Sequence, residues 1–148
     1  MTNTESTMSN ATRSAKGSCA CGAITVEAKN ISQSVGACHC STCRKISGGS
    51  PYMAVECGSD VNFSGSENIS IYNSSKWAER GFCGKCGSPL FYRLKQANQY
   101  MLSSGLFNDE NFNFDHQLFI EEKPAHYTFA NDTKNMTGEE LFAQYGAS

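Results

Sequence analysis

Seven of the eight cysteines fall into three short clusters, and their spacing suits metal chemistry better than disulfide chemistry. The clusters are Cys19-Ala20-Cys21-Gly22, Cys38-His39-Cys40-Ser41-Thr42-Cys43 and Cys83-Gly84-Lys85-Cys86-Gly87. Cys-x-Cys and Cys-x-x-Cys pairs turn two sulfurs toward one point, as a tetrahedral thiolate site requires. The third cluster reads as a zinc knuckle, with Gly84 and Gly87 permitting a tight turn. A knuckle supplies two ligands and a structural zinc takes four. Cys19, Cys21, Cys83 and Cys86 are therefore expected to close one four-thiolate site, clipping the start of the domain to its middle.

The middle cluster differs in kind. Cys38, Cys40 and Cys43 lie within six residues, so one bend can bring three sulfurs to one metal. Three protein ligands leave a fourth position for water or substrate, the arrangement of catalytic zinc. The competing reading closes this site with Cys57 or His39 and makes both metals structural. His39 lies between two ligands, so its ring is expected to point away from their metal. Cys57, a lone cysteine between strand and turn, is of a kind most often a small buried filler, though it could fold back to the site. Exchange of partners between the two sites stays open. An iron–sulfur cluster ranks below zinc, because no single segment carries four cysteines at ferredoxin-like spacing.

The elements that must position these residues read as mostly β. Residues 1–16 are rich in Thr, Ser and Asn and read as a flexible arm, leaving 17–148 as a single domain. Strand patterns cover 23–28, 51–56, 69–72 and 116–120. A hairpin is expected from 90–94 and 99–104 through Lys95-Gln96-Ala97-Asn98. Only 138–144 has helical chemistry, with Thr137 or Gly138 as its cap. Trp77, Phe63, Phe82, Phe91 and Phe107 are most simply core, and His116 and His126 have no ligand-like spacing.

Composition narrows the classes. The formal net charge is −2, and no basic tract exceeds Arg44-Lys45, which argues against nucleic acid as a partner. The N-terminus has no apolar stretch of a secretory signal and no run suits a membrane span, so a reducing, cytoplasmic setting without a membrane partner is expected.

Taken in order, the blocks 17–22, Cys38 to Gly49 and Arg80 to Ser88 resemble those of the glutathione-dependent formaldehyde-activating enzyme family, which shares its domain with centromere protein V. The resemblance spans about residues 17–129. It implies a zinc-pinned β-tent of several small curled antiparallel sheets, with one short C-terminal helix. It implies structural zinc on Cys19, Cys21, Cys83 and Cys86, and a catalytic, more labile zinc on Cys38, Cys40 and Cys43. The implied activity is that of a carbon–sulfur lyase joining glutathione, a small thiol, to formaldehyde as S-hydroxymethylglutathione. The alternative is a binding or scaffold module with two structural metals and no turnover. Members commonly carry a Gly-Thr-Leu-Asp-Asp-like turn, which here reads Gly105-Leu106-Phe107-Asn108-Asp109, and a tryptophan where this chain has His126. These departures bear on the substrate and not on the fold.

Around the trio, Arg44 is the candidate to offset thiolate charge or grip a substrate carboxylate, ahead of Lys45. Arg80 is expected to pair with an acidic neighbour or with backbone. His39 is a candidate proton relay, or a supporting or exposed residue. Ser47-Gly48-Gly49-Ser50 is either pocket lining or an ordinary turn.

Overall fold

A computed structural model describes residues 12–108 and 111–145. The strands are β1 (Thr12–Ser18), β2 (Thr25–Ser32), β3 (Ser34–Cys38), β4 (Tyr52–Gly58), β5 (Val61–Ser64) and β6 (Ile69–Tyr72). They continue as β7 (Ala78–Cys83), β8 (Pro89–Leu94), β9 (Gln99–Ser103), β10 (Asn113–Leu118) and β11 (Lys134–Met136). Two helices, α1 (Ser41–Ile46) and α2 (Gly138–Tyr145), complete the regular structure apart from short 3₁₀ turns. The mainly β class with a short C-terminal helix is as expected.

The strands form a three-stranded sheet, β1-β2-β5, and an eight-stranded sheet, β11-β10-β3-β4-β9-β8-β7-β6. Pairing is antiparallel except that β10 runs parallel to both β3 and β11, so the second sheet is mixed. The hairpin of β8 and β9 pairs Leu94 with Gln99 across the expected turn.

Register decides which residues meet. Val35, Val55, Leu102, Phe91 and Gly81 stand opposite one another across five strands. The side chains of the first four are buried in the core, where Ala15, Val26, Ala28 and Ile31 of the small sheet join them. One residue along, Tyr72, Arg80, Tyr92, Met101 and Glu56 form a second row, on the opposite face because strand side chains alternate. The two rows separate a dry core face from a face available for chemistry.

Several expectations are corrected. The arm expected over 1–16 does not hold throughout: Thr12–Lys16 form most of β1, paired with β2, and Ala15 is buried. Residues 1–11 lie outside the described residues, as does Asp109 of the variant turn. Helix α1 was not expected, because its six residues are too few to show a periodicity. At α2 the cap is Thr137: Glu140 N donates to its Oγ1 at 3.1 Å, and Thr137 N donates to Glu140 Oε1 at 2.8 Å, a reciprocal capping box. Trp77 and Phe82 are not core, being 48% and 37% exposed, whereas Phe91 and Phe107 are buried and Phe63 packs partly buried against them. No helix among the described residues is long and apolar enough to cross a membrane.

Candidate metal centres and the adjoining cavity

The first site is built from two turns. Cys19 and Cys21 lie between β1 and β2, while Cys83 ends β7 and Cys86 lies in the turn before β8. The four sulfurs all fall within 4.8 Å of one another. Cys21 Sγ is 3.7 Å from Cys19 Sγ and 3.8 Å from Cys83 Sγ. Four sulfurs ~2.3 Å from one ion at tetrahedral angles would stand about 3.8 Å apart. Disulfide sulfurs would stand ~2.05 Å apart, and all eight cysteines are free. The donor set therefore fits a thiolate-bound ion.

Backbone donors surround these sulfurs. Lys85 N and Cys86 N each donate to Cys83 Sγ at 3.4 Å, and Ile24 N donates to Cys19 Sγ at 3.4 Å. The turns need left-handed backbone at Gly22 (φ 80°) and Gly87 (φ 83°), which glycine adopts without Cβ strain. Ser88 ties the halves together, accepting from Ala20 N at 3.0 Å and touching Cys86 Sγ at 3.2 Å. That serine, with its own backbone, holds the Cys86 thiol down at about 5.

The second cluster gathers where β3 runs into α1. Cys38 ends the strand, Cys40 caps the helix by accepting from Cys43 N at 3.4 Å, and Cys43 is buried within it. Their sulfurs also lie within 4.8 Å of one another. Hydrogen bonds from Cys38 and then Cys43 pull the Cys40 thiol down to about 2. The Cys40 and Cys43 contacts, then burial, push Cys38 well up. Contact with Cys38 lowers Cys43, but contact with Cys40 and burial outweigh it, leaving it at about 11. One thiolate forms readily and the next are opposed by its charge. Three thiolates together call for a cation, so this trio too fits a metal ion.

Neither fourth ligand considered from the sequence joins the trio. Cys57 is fully buried on β4, its thiol directed at Val55 O at 3.5 Å. His39 points away, as expected, but it is wholly buried and not exposed. Its Nε2 is 2.7 Å from Gln117 Oε1 and its Nδ1 2.7 Å from the Tyr127 hydroxyl. Gln117 Oε1 only accepts, so Nε2 carries the proton and Nδ1 accepts from Tyr127. Burial lowers the His39 pKa, keeping the ring neutral. Among the described residues, no other Cys, His, Asp or Glu completes the trio.

The two arginines differ in the contacts they make. Arg44 directs Nε at His39 O, 2.9 Å away, and so fixes the backbone between Cys38 and Cys40. Among the described residues Arg80 pairs with neither an acidic residue nor backbone: its Nη2 donates to Cys43 Sγ at 3.2 Å. Arg80 is only 7% exposed, and Tyr92 and Tyr52 stand with ring centroids 5.0 Å and 5.7 Å from its guanidinium carbon. Sequence reasoning missed this contact because 37 residues separate the partners. Lys45 is exposed, and Ser47–Ser50 make a turn that is exposed from Gly48 to Ser50. His116 is occupied with Asp115, and His126 packs its ring on Tyr127.

A cavity of about 390 Å³ opens over Arg80. Ile46 at the end of α1 and Gly87 of the first site both line it, so it lies between the two cysteine clusters.

Residues 14–122 match the family described as glutathione-dependent formaldehyde-activating enzyme. A Schizosaccharomyces pombe protein described as an uncharacterized lyase is 40% identical over 128 residues, covering 85% of this chain and 93% of its own. A crystal structure of a Rhodobacter sphaeroides protein is similar with a TM-score of 0.56 and 25% identity, covering 65% of this chain and 90% of that one.

Proposed function

The chain belongs to the glutathione-dependent formaldehyde-activating enzyme family, and from that premise we propose that it is a zinc-dependent carbon–sulfur lyase acting on a thiol–aldehyde adduct. In the reaction a sulfur–carbon bond forms between thiol and aldehyde while the thiol proton ends on the aldehyde oxygen; the lyase direction reverses both. Glutathione with formaldehyde is the pair the family description suggests. The observation that carries the reading is the three-sulfur cluster with no fourth protein ligand among the described residues.

In this reading Cys19, Cys21, Cys83 and Cys86 hold a structural zinc, and Cys38, Cys40 and Cys43 hold the catalytic one. All-sulfur donor sets favour zinc over harder divalent ions. When bound at the trio, zinc supplies the positive charge that stabilises a substrate thiolate and polarises an aldehyde oxygen. The chain's own residues prepare that place. Arg80 offsets negative charge at Cys43, and Arg44 holds the peptide between Cys38 and Cys40. His39 has both nitrogens engaged, so its part is to hold the strand end rigid and not to carry protons. Free thiols at both clusters suit a reducing, cytoplasmic setting.

The test is Cys40→Ser in the full chain. It should lose about one equivalent of zinc, remain folded, and lose formaldehyde–thiol exchange measured by NMR. Undiminished exchange in this variant would refute the lyase reading. A wild-type protein with both metals bound and no exchange would favour a scaffold.

A further inference from the structure

The walls of the cavity over Arg80 describe the ligand that fits it. Its volume of about 390 Å³ lies in the range of small-molecule sites. Tyr52, Tyr72 and Phe82 are aromatic residues of the lining, core residue Phe91 closes it from behind, Ile46 adds an aliphatic residue, and Arg80 is the only charged residue among those that line it. Arg80 has five N–H donors, yet among the described residues its hydrogen-bond acceptor is Cys43 Sγ, and its buried Nε has none. The protein thus leaves a buried cation with an incomplete set of partners beside an apolar hollow. The Tyr52 and Tyr92 rings both contact that guanidinium.

A ligand with one anionic group and an apolar body complements these walls. Glutathione does not: it carries two carboxylates and an ammonium on a polar peptide. One carboxylate can meet Arg80, but the cavity offers no further cation and no anion for the remaining charges. Enclosing charges without partners is costly.

We propose that this cavity binds the body of the thiol substrate, and that the preferred thiol is a compact aromatic or branched aliphatic one bearing a single carboxylate, which Arg80 binds. The proposal rests on the lyase reading and narrows it. Cys43 Sγ lies 3.2 Å from the same guanidinium, so an anion held by Arg80 brings the ligand beside the trio. The chemistry is unchanged: the thiol sulfur bonds the aldehyde carbon, the proton ends on the oxygen, and nothing is oxidised or reduced.

Two measurements on the zinc-loaded full chain test this. Ligand-observed NMR with 3-phenylpropanoate, which has no thiol and cannot react, reads the cavity alone. Binding should weaken about ten-fold in Phe82→Ala; Phe82 is 37% exposed, so this variant keeps the fold even if Arg80→Gln does not. Exchange of ¹³C-formaldehyde with 2-mercapto-3-phenylpropanoate should exceed exchange with glutathione about ten-fold in kcat/KM, and Phe82→Ala should shrink that ratio. Preference for glutathione, or no binding of 3-phenylpropanoate, overturns the pocket proposal and leaves the lyase reading standing. If 3-phenylpropanoate binds in a Phe82-dependent way and neither thiol exchanges, the lyase reading and the thiol assignment fall together, while the cavity keeps its class of ligand.

Discussion

Arg80 holds a guanidinium against a cysteine sulfur in surroundings nearly closed to water, where one charge has a large effect on its neighbours. Burial lowers the Arg80 pKa, but the charge and then the contact of Cys43, with other neighbours, outweigh it and raise it, so the side chain stays cationic. Supporting partners of metal ligands are worth about 10–100-fold in affinity or activity. Arg80→Gln should therefore weaken zinc at the trio by that order while the four-sulfur site keeps its ion. Competition with a graded series of chelators distinguishes the two sites. His39 offers a second test. Tyr127→Phe leaves the buried Nδ1 without its donor and should cost about 1–3 kcal/mol by denaturant unfolding, with both zinc ions retained.

Among the elements, β1 matters more than its polar sequence suggests. It pairs with β2 from Thr12 to Ser18, buries Ala15, and leads directly into Cys19. Gly17 lies so close to the next layer that a Cβ there would stand 2.4 Å from Leu106 O. Compared with a chain beginning at Thr12, one beginning at Gly17 loses most of the strand and the cover over β2. For a domain of this size, the loss of about 2–3 kcal/mol from exposed apolar surface and unmade ladder bonds lowers Tm by roughly 5–10 °C. Differential scanning calorimetry of the two truncations measures it. Equal Tm values would return Thr12–Lys16 to the status of a dispensable arm.

For the whole molecule, an ion at the four-sulfur site would act as a clip. It would tie the turn after β1 to the end of β7, two turns that the Ala20 N to Ser88 Oγ hydrogen bond also joins. Metal binding to such a site is coupled to folding. Stripping zinc with a strong chelator should therefore lower Tm sharply, and restoring one equivalent should recover most of the loss before any activity returns. The second equivalent should restore exchange with a smaller gain in Tm. If both effects tracked the same equivalent, the assignment of one ion to structure and one to chemistry would fail.

Cysteine identity and spacing alone pointed to the two groups of sulfurs that the structure gathers and that could hold an ion, because knuckle geometry is local: neighbouring residues bring sulfurs together over a few bonds whatever the rest of the chain does. The β class, the hairpin at 90–104 and the α2 segment were legible for the same reason, since alternation and capping act within a few residues. What surrounds the trio was decided in three dimensions. Arg80 follows Glu79 and precedes Gly81, and nothing in that run says which of them faces Cys43. Strand register places Gly81 in the row with buried Phe91 and turns Arg80 to the opposite face. Arg44, adjacent to Cys43 in sequence, is instead directed by the short helix α1 onto the His39 carbonyl. A one-residue shift of register exchanges the faces of a strand, so the charge beside the sulfurs is a property of the assembled sheet.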